Sequence, residues 1–266
     1  MSLKLLGILN ITEDSFSDGG KFLDPAAALI EAERLAKESD AIDLGAASSR
    51  PGAVAVAPDV EIARLAPVVD ALKRADAPIS IDSFSPEVQR WALSRSVAYL
   101  NDVNGFADAS FYPELAASDA KLIVMFSVEG AGPATRLFVP AAELFDRIVG
   151  FFDRRLAAFA RAGIAQERII LDPGMGLFLG SDPEASFTVL RRLSDLKARF
   201  GLPLLVSVSR KSFLRDLVHK PVSQIGPATL AAELFAVRQG ADYIRTHAPG
   251  ALRDLLMVFE TLANQA

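Results

Sequence analysis

The sequence predicts an α/β chain folded as a TIM (β/α)8 barrel, on three observations. Eight short apolar runs alternate with longer segments of helical period, an order that builds a parallel sheet with helices outside it. The length of 266 residues suits one such barrel better than two small domains. The positions that end the apolar runs are nearly all polar, and strand C-termini are where this fold assembles a site. A doubly wound open sheet is the weaker alternative, because no G-x-G-x-x-G follows the first run. With no linker, repeat or low-complexity stretch, a single domain over residues 1–266 is expected.

The first strand is "LKLLGILN" (3–10); one lysine before a short apolar run, without a small-residue cleavage site, is not a secretory leader pattern. The segment "DPAAALIEAERLAKES" (24–39) has apolar residues at three- and four-residue spacing and opens with an N-cap and N1 pair, Asp24 and Pro25,. The second strand is "AIDL" (41–44), followed by the helix "DVEIARLAPVVDALKRA" (59–75). Strands three to five are "PISID" (78–82), "VAYLND" (97–102) and "KLIVMF" (121–126). The helix "AAELFDRIVGFFDRRLAAFARAG" (141–163) has Gly163 as its stop, and "RIILD" (168–172) is strand six,. A helix at "EASFTVLRRLSDLKARF" (184–200) separates it from strand seven, "LPLLVSVS" (202–209), and "DYIRTH" (242–247) is strand eight.

Composition narrows the function. The chain is 51% hydrophobic, with a formal charge of -5 and no cysteine. Disulfides, thiolate metal sites and a cysteine nucleophile are excluded, and a reducing cytoplasm is the expected location. Mild acidity without a lysine or arginine run argues against nucleic acid as partner, and no uncharged apolar stretch of membrane-spanning length is present. Any anion site must therefore be local.

The strand ends carry Asn10, Asp43, Asp82, Asn101 with Asp102, Asp172, Ser209 to Ser212, and Arg245 with His247. Any one of them alone can be a helix or turn cap; six ends converging on one rim are harder to explain that way. Arg210, Lys211, Arg245 and His247 come from the last two strands, the usual phosphate corner of this fold, and predict an anionic group there. Asp82, Asn101 and Asp172 face the barrel axis and suit a flat heterocycle rich in N–H groups, since a carboxylate accepts two parallel hydrogen bonds from an amino-amidine edge. Lys211 has three readings: phosphate ligand, Schiff-base nucleophile, or donor to a ring carbonyl. His219, the other of the two histidines, lies among loop residues and has no expected role. The segments "NITEDSFSDGG" (10–20) and "GAASSRPGA" (45–53) have the small polar composition of lids,.

Seven segments, "GILNITEDSFSDGG", "IDLGAASSRPGA", "ISIDS", "LNDVNGF", "IILDPGMG", "LLVSVSRKSF" and "IRTH", resemble the motifs of dihydropteroate synthases, in their order and across nearly the whole chain. The resemblance implies a TIM barrel that joins p-aminobenzoate to 6-hydroxymethyl-7,8-dihydropterin pyrophosphate, giving dihydropteroate and pyrophosphate. It implies a pterin pocket of Asp82, Asn101, Asp172, Lys211 and Arg245, and diphosphate contacts from Asn10, Arg50, Arg245 and His247. A Mg2+ cofactor is implied near Asn10 and Asp18. Phe16, Ser49, Pro51, Leu177, Phe178 and Ser212 would surround p-aminobenzoate. Asp82, Lys211, Arg245 and His247 would be the catalytic groups, and a homodimer is the implied assembly.

Departures from the common pattern point to a subgroup. "GAASSRPGA" stands where many synthases read "GGESTRPGA", and "DPGMGLFLGSDPE" where they read "DPGFGFGK". With "NGF" and "FYPELA", these are similar to the acquired, sulfonamide-insensitive (Sul-type) synthases, whereas Arg50 is closer to the chromosomal form. Phe178 is the candidate for steric rejection of sulfonamides, with Leu177 beside it, and Phe126 replaces a histidine common after strand five. Two other functions share the expected pocket. Methyltetrahydrofolate-dependent methyl transfer would not need the anion corner of Arg50, Arg245 and His247, and a non-catalytic pterin-binding barrel would not need the loop "DSFSDGG".

Overall fold

A computed structural model describes residues 3–12, 24–49, 51–130, 134 and 136–263. Its strands are β1 (Lys4–Asn10), β2 (Ala41–Gly45), β3 (Ile79–Asp82), β4 (Tyr99–Asp102), β5 (Lys121–Met125), β6 (Ile169–Asp172), β7 (Leu205–Val206) and β8 (Tyr243–Thr246). They form one parallel sheet in the order β6-β5-β4-β3-β2-β1-β8-β7. A parallel bridge between Leu171 and Leu204 joins the two ends of that order and brings the sheet round into a barrel.

The helices between the strands are α1 (Pro25–Glu38), α2 (Pro58–Arg74), α3 (Pro86–Ser94), α4 (Tyr112–Ala116), α5 (Ala141–Arg161), α6 (Ala185–Arg191), α7 (Leu193–Phe200), α8 (Ser212–Val218), α9 (Gly226–Arg238) and α10 (Pro249–Ala263). Asp24 caps α1 as expected, its Oδ1 accepting from the Ala26 N–H at 3.1 Å, which satisfies one of the donors a helix start leaves open. The long α5 buries Leu144, Ile148, Phe152 and Phe159, a stripe at helical spacing against the sheet. It ends at Arg161, and Gly163 follows at φ +77, where its N–H bonds the Ala160 carbonyl.

Two expected elements differ in extent. The helix expected over 184–200 is two helices, because the Arg192 N–H bonds Val189, three residues back, and its φ and ψ of -108° and 14° leave the helical region. The strand expected over 202–209 keeps only two ladder residues. Pro203 has no N–H to donate, and from Val208 onward the chain turns, with Lys211 N–H on the Val208 carbonyl and Arg210 at φ +58.

Side chains alternate across the strands, so every second residue enters the barrel. At the N-terminal end of the barrel the inward layer is apolar: Leu6, Ala41, Ile123, Ile170, Leu205 and Tyr243, with Tyr99 packed on it. Two residues further along, the same faces present Ile8, Asp43, Asn101, Met125, Asp172, Ser207 and Arg245, most of them polar. The sheet's outer face packs on the helices through the large apolar cluster that includes Leu44, Leu100, Val124, Leu171 and Val206. The polar inner layer therefore stands on a floor of packed side chains, closed to water from below.

Candidate active site

A cavity of about 280 Å³ opens at the C-terminal ends of the strands. Of the residues expected to form a site, Asn10, Asp82, Asn101, Asp172, Lys211, Arg245 and His247 line it, as do Ser49, Pro51, Leu177, Phe178 and Ser212. Phe16, Asp18 and Arg50 lie outside the described residues.

The electrostatic centre is Arg245. Its guanidinium binds two carboxylates, Nε to Asp43 and Nη2 to Asp82 at 2.5 Å. Asp43 is fully buried within β2 rather than at its end, and it also accepts from the Ser80 hydroxyl and from Asn101 Nδ2 at 3.2 Å. A buried carboxylate needs this many partners, since each unmet charge costs several kcal/mol. Asp43 thus fixes both Arg245 and the Asn101 amide, and orients the latter's Oδ1. That oxygen is buried, lines the cavity and has no hydrogen-bond partner among the described residues; the same is true of Ser207 Oγ. Acceptors left open in a buried cavity are unfavourable unless a ligand meets them.

Titration follows from burial. Burial pushes Asp82 up, to about 7, with Arg245 opposing and Asp43 adding to the rise. Asp172, 3% exposed, is raised to about 6 by burial, against the Gly174 N–H and the Lys211 and Arg245 charges. Lys211 is lowered to about 8, first by burial and then by Arg245, with Asp172 and Asp82 opposing. For Arg245, burial works against the charge and the carboxylates of Asp43 and Asp82 overrule it.

Local chain geometry explains the spacing of "DPGMG". Gly174 has φ +74, and a Cβ there would lie 2.4 Å from the Phe126 carbonyl, so only glycine lets its N–H turn back onto Asp172 Oδ1 at 2.8 Å,. Gly176, at φ +66, lies against the Lys211 stem, where a Cβ would come within 3.3 Å of Cδ. Beyond it Phe178 is buried at 7% exposure, packed with Val103, Met125 and Ala134. The ring also sits under the Lys211 ammonium, 5.0 Å from Nζ to its centroid, close enough for a cation–π contact. Phe178 is thus both a packed aromatic and a cavity wall, and Leu177 lines the wall beside it.

Other expectations resolve structurally. Asp102 faces away from the cavity and organises "NGF", accepting from the N–H groups of Asn104 at 2.7 Å and Phe106 at 3.1 Å and from Gln89 Nε2 at 3.0 Å. Phe126 does not line the cavity; its ring meets Phe151 edge-on at 5.5 Å and its N–H bonds the Asp172 carbonyl. His219 ends α8 in the left-handed region at φ +52. Strand alternation places Met125 and Ser207 in the wall, a signal present in the sequence; Arg215, Met175, Val103 and Thr12 also line it, and no periodicity marks those.

The buried carboxylate of Asp172, the partly buried Asp82, an amide, an arginine and a lysine around one apolar-walled cavity are the donors and acceptors of a barrel suited to a flat, N–H-rich ring beside an anion. Comparison with known proteins agrees with that class and narrows it. Residues 6–247 match the family model described as pterin binding enzyme. The chain is 56% identical over 266 residues, 100% of this chain and 98% of the relative, to dihydropteroate synthase type-2 of Escherichia coli. Among solved structures, the Yersinia pestis dihydropteroate synthase with a sulfonamide drug superposes at a TM-score of 0.89, with 30% identity and coverage of 99% and 95% of the two chains. The Coxiella burnetii dihydropteroate synthase in complex with pteroic acid gives 0.85, with 28% identity over 97% and 92%. This chain belongs to the dihydropteroate synthase family of pterin-binding enzymes.

Proposed function

We propose that the cavity binds 6-hydroxymethyl-7,8-dihydropterin pyrophosphate and p-aminobenzoate and joins them, with the roles divided by depth. The observation that carries this is the unmet acceptor of Asn101, which lines the same cavity as the buried Asp172, the partly buried Asp82, Arg245 and His247. Asp172 and Asn101 accept from the pterin ring edge, and Lys211 donates to its carbonyl, the one of its three readings that suits a cation set between ring and Phe178. The crystallised relative with pteroic acid, which contains both a pterin and an aminobenzoate, supports that pairing.

In the reaction the methylene C–O bond breaks, pyrophosphate leaves with the electron pair, the arylamine nitrogen forms the new C–N bond, and an N–H proton is released. Stabilisation is needed for a departing polyanion and for positive charge developing on the pterin methylene. His247 and Arg245 face the first; Asp82, held against Arg245, faces the second. Arg50 is proposed as a further diphosphate contact. An arylamine is neutral near pH 7, so no strong base is required, consistent with a site containing one histidine.

Mg2+ takes oxygen donors and is commonly held by one or two side chains together with substrate phosphates; the Asn10 side chain, at the cavity wall, is the proposed protein ligand. The Asn10 Oδ1 stands where Gly45 leaves room, 3.5 Å from the position of an added Cβ, and Asp18 is the proposed second ligand. Bound there, Mg2+ supplies charge neutralisation on the leaving group.

Ser212 and Ser49 are proposed to hold the p-aminobenzoate carboxylate, with Phe16, Pro51, Leu177 and Phe178 around the ring, and Phe178 to exclude the bulkier sulfonamide end. A homodimer is proposed on the exposed apolar side chains Phe235, Met257, Val258 and Leu262 of α9 and α10, and a cytoplasmic location on the absence of cysteine. No helix among the described residues is long and apolar enough to cross a membrane. The test is coupling of labelled p-aminobenzoate to the pterin pyrophosphate, with and without Mg2+. Dihydropteroate formed only with metal is expected; no product with all components present rejects the reading.

A further inference from the structure

Behind the anion corner lies a carboxyl that the reaction above does not use. Glu233 is fully buried on the face of α9 that also buries Thr229 and Ala236. Neither of its oxygens has a hydrogen-bond partner of good geometry among the described residues. The polar group that acts on it is the hydroxyl of Thr246, itself fully buried on β8. From Thr246 a string of polar atoms leads to the cavity. Thr246 Oγ1 is 3.4 Å from Ser209 Oγ, and Ser209 Oγ is 2.9 Å from Nδ1 of His247. Backbone donors orient both hydroxyls: Ala248 N–H points to Thr246 Oγ1 at 3.3 Å and His247 N–H to Ser209 Oγ at 3.2 Å.

Each hydroxyl has one proton to give, so its direction is set from one end. With Glu233 protonated, the carboxyl donates to Thr246, Thr246 to Ser209, and Ser209 to His247 Nδ1. The ring proton of a neutral His247 then sits on Nε2, an atom buried in the wall of the cavity that His247 lines, and is the proton offered to an anion bound against that wall. With Glu233 ionised, the Thr246 proton turns to the carboxylate, Ser209 donates back to Thr246, and Ser209 accepts from Nδ1–H. Nε2 then presents a lone pair to the anion, which is repulsive. We propose that Glu233 is a positioning residue for His247, setting through Thr246 and Ser209 which ring nitrogen carries the proton offered to the diphosphate. This rests on the reading of His247 as a diphosphate contact.

Burial holds the Glu233 carboxyl up, to about 7, and Thr246 opposes it more weakly. The packed elements also carry charge: Arg215 and Asp216 on α8, Arg253 and Asp254 on α10, and Arg245 and His247 on β8 and at its end. None of these rivals burial and Thr246 in setting the Glu233 charge. The proton-donating arrangement is therefore present below about pH 7 and lost as pH rises through it.

The test uses the full-length protein with 15N-labelled histidine, as the parent, Glu233→Gln and Glu233→Leu, titrated from pH 5.5 to 8.5 with magnesium pyrophosphate as the probe. Only two histidines contribute signals, and His219→Gln assigns them. The expected result is a parent whose His247 ring proton shifts from Nε2 towards Nδ1 with rising pH, and whose pyrophosphate affinity falls about fivefold more than that of Glu233→Gln, the effect of one reversed hydrogen bond. Glu233→Gln, which keeps a donor and cannot ionise, holds the Nε2–H form throughout, and Glu233→Leu binds weakly at every pH. Superimposable His247 profiles in the parent and Glu233→Gln overturn the inference, whether or not Glu233→Leu folds. A tautomer change without pyrophosphate binding at any pH leaves the relay intact and rejects the diphosphate role of His247 instead.

Discussion

Asp172→Asn separates what the pocket needs for binding from what the fold needs for stability. The substitution preserves shape, and the amide oxygen still accepts the Gly174 N–H now 2.8 Å from Asp172 Oδ1. At the ligand edge, however, a carboxylate oxygen becomes an NH2 that faces ring N–H groups. Loss of a charge-assisted hydrogen bond costs about 1.5–3 kcal/mol, and the donor left unpaired adds about 1–3 kcal/mol. The two together are about 2.5–6 kcal/mol, so pterin affinity should fall about 10²- to 10⁴-fold. The opposite sign is expected for stability. Burial raises this carboxyl from 3.8 to about 6, so above pH 6 the fold holds an ionised group against a penalty on the order of 3 kcal/mol. Asn carries no such penalty, and the variant should melt no lower than the parent at pH 8. The parent's own pH dependence has a fixed direction. Binding uses the ionised form, so affinity for an uncharged pterin is full well above pH 6 and declines towards tenfold per unit below it. Calorimetric titration of 6-hydroxymethylpterin at pH 5, 6 and 8, paired with thermal melts, measures both. A variant that binds within threefold of the parent, or a parent whose affinity is flat from pH 5 to 8, refutes this assignment of the ring pocket.

Three further outcomes follow from the same geometry. Lys211→Ala should weaken pterin binding by about tenfold or more, measured by calorimetry; unchanged affinity would return Lys211 to its anion-ligand reading. His247→Ala should raise KM for the pterin pyrophosphate by about tenfold while affinity for the pterin alone stays within twofold, and equal losses for both ligands would contradict the division of the cavity. Phe178→Gly should raise sensitivity to sulfamethoxazole by about tenfold, equivalent to roughly 1.4 kcal/mol of lost steric exclusion, with a smaller change in turnover. Inhibition measured at matched p-aminobenzoate saturation decides it, since a parent already sensitive to the drug removes Phe178 as its gate.

Much of this site was legible because a barrel converts local pattern into position. An inward residue at a strand end reaches the same cavity as its counterparts on the other strands, so Asp82, Asn101, Asp172 and Arg245 could be grouped although far apart in the chain. Position along the strand was harder to read. "AIDL" places Asp43 among the strand ends, yet β2 runs on to Gly45, which sets Asp43 inside the strand, fully buried, as the partner that holds Arg245 and Asn101. Asp102 shows the converse. It ends β4 beside Asn101, and alternation turns it outward to organise the next turn. A polar residue at a strand end is thus a ligand contact or a cap according to parity, and one residue's error in the strand boundary exchanges the two.

The least legible group is the one behind His247. The segment "TLAAELFAV" (229–237) is apolar apart from Thr229 and Glu233, and nothing local indicates that Glu233 turns inward. Its burial is tolerable only because β8 presents Thr246, rather than an aliphatic residue, at the facing position and because the carboxyl can stay protonated near neutral pH,. Pairings of this kind join a helix to a strand through contacts that no periodicity encodes. In a barrel they lie directly behind the strand ends, so a buried acid on an outer helix is placed to act on a catalytic face it never touches. Substitutions on that layer should be read in the protonation and ligand affinity of the site as well as in the melting temperature.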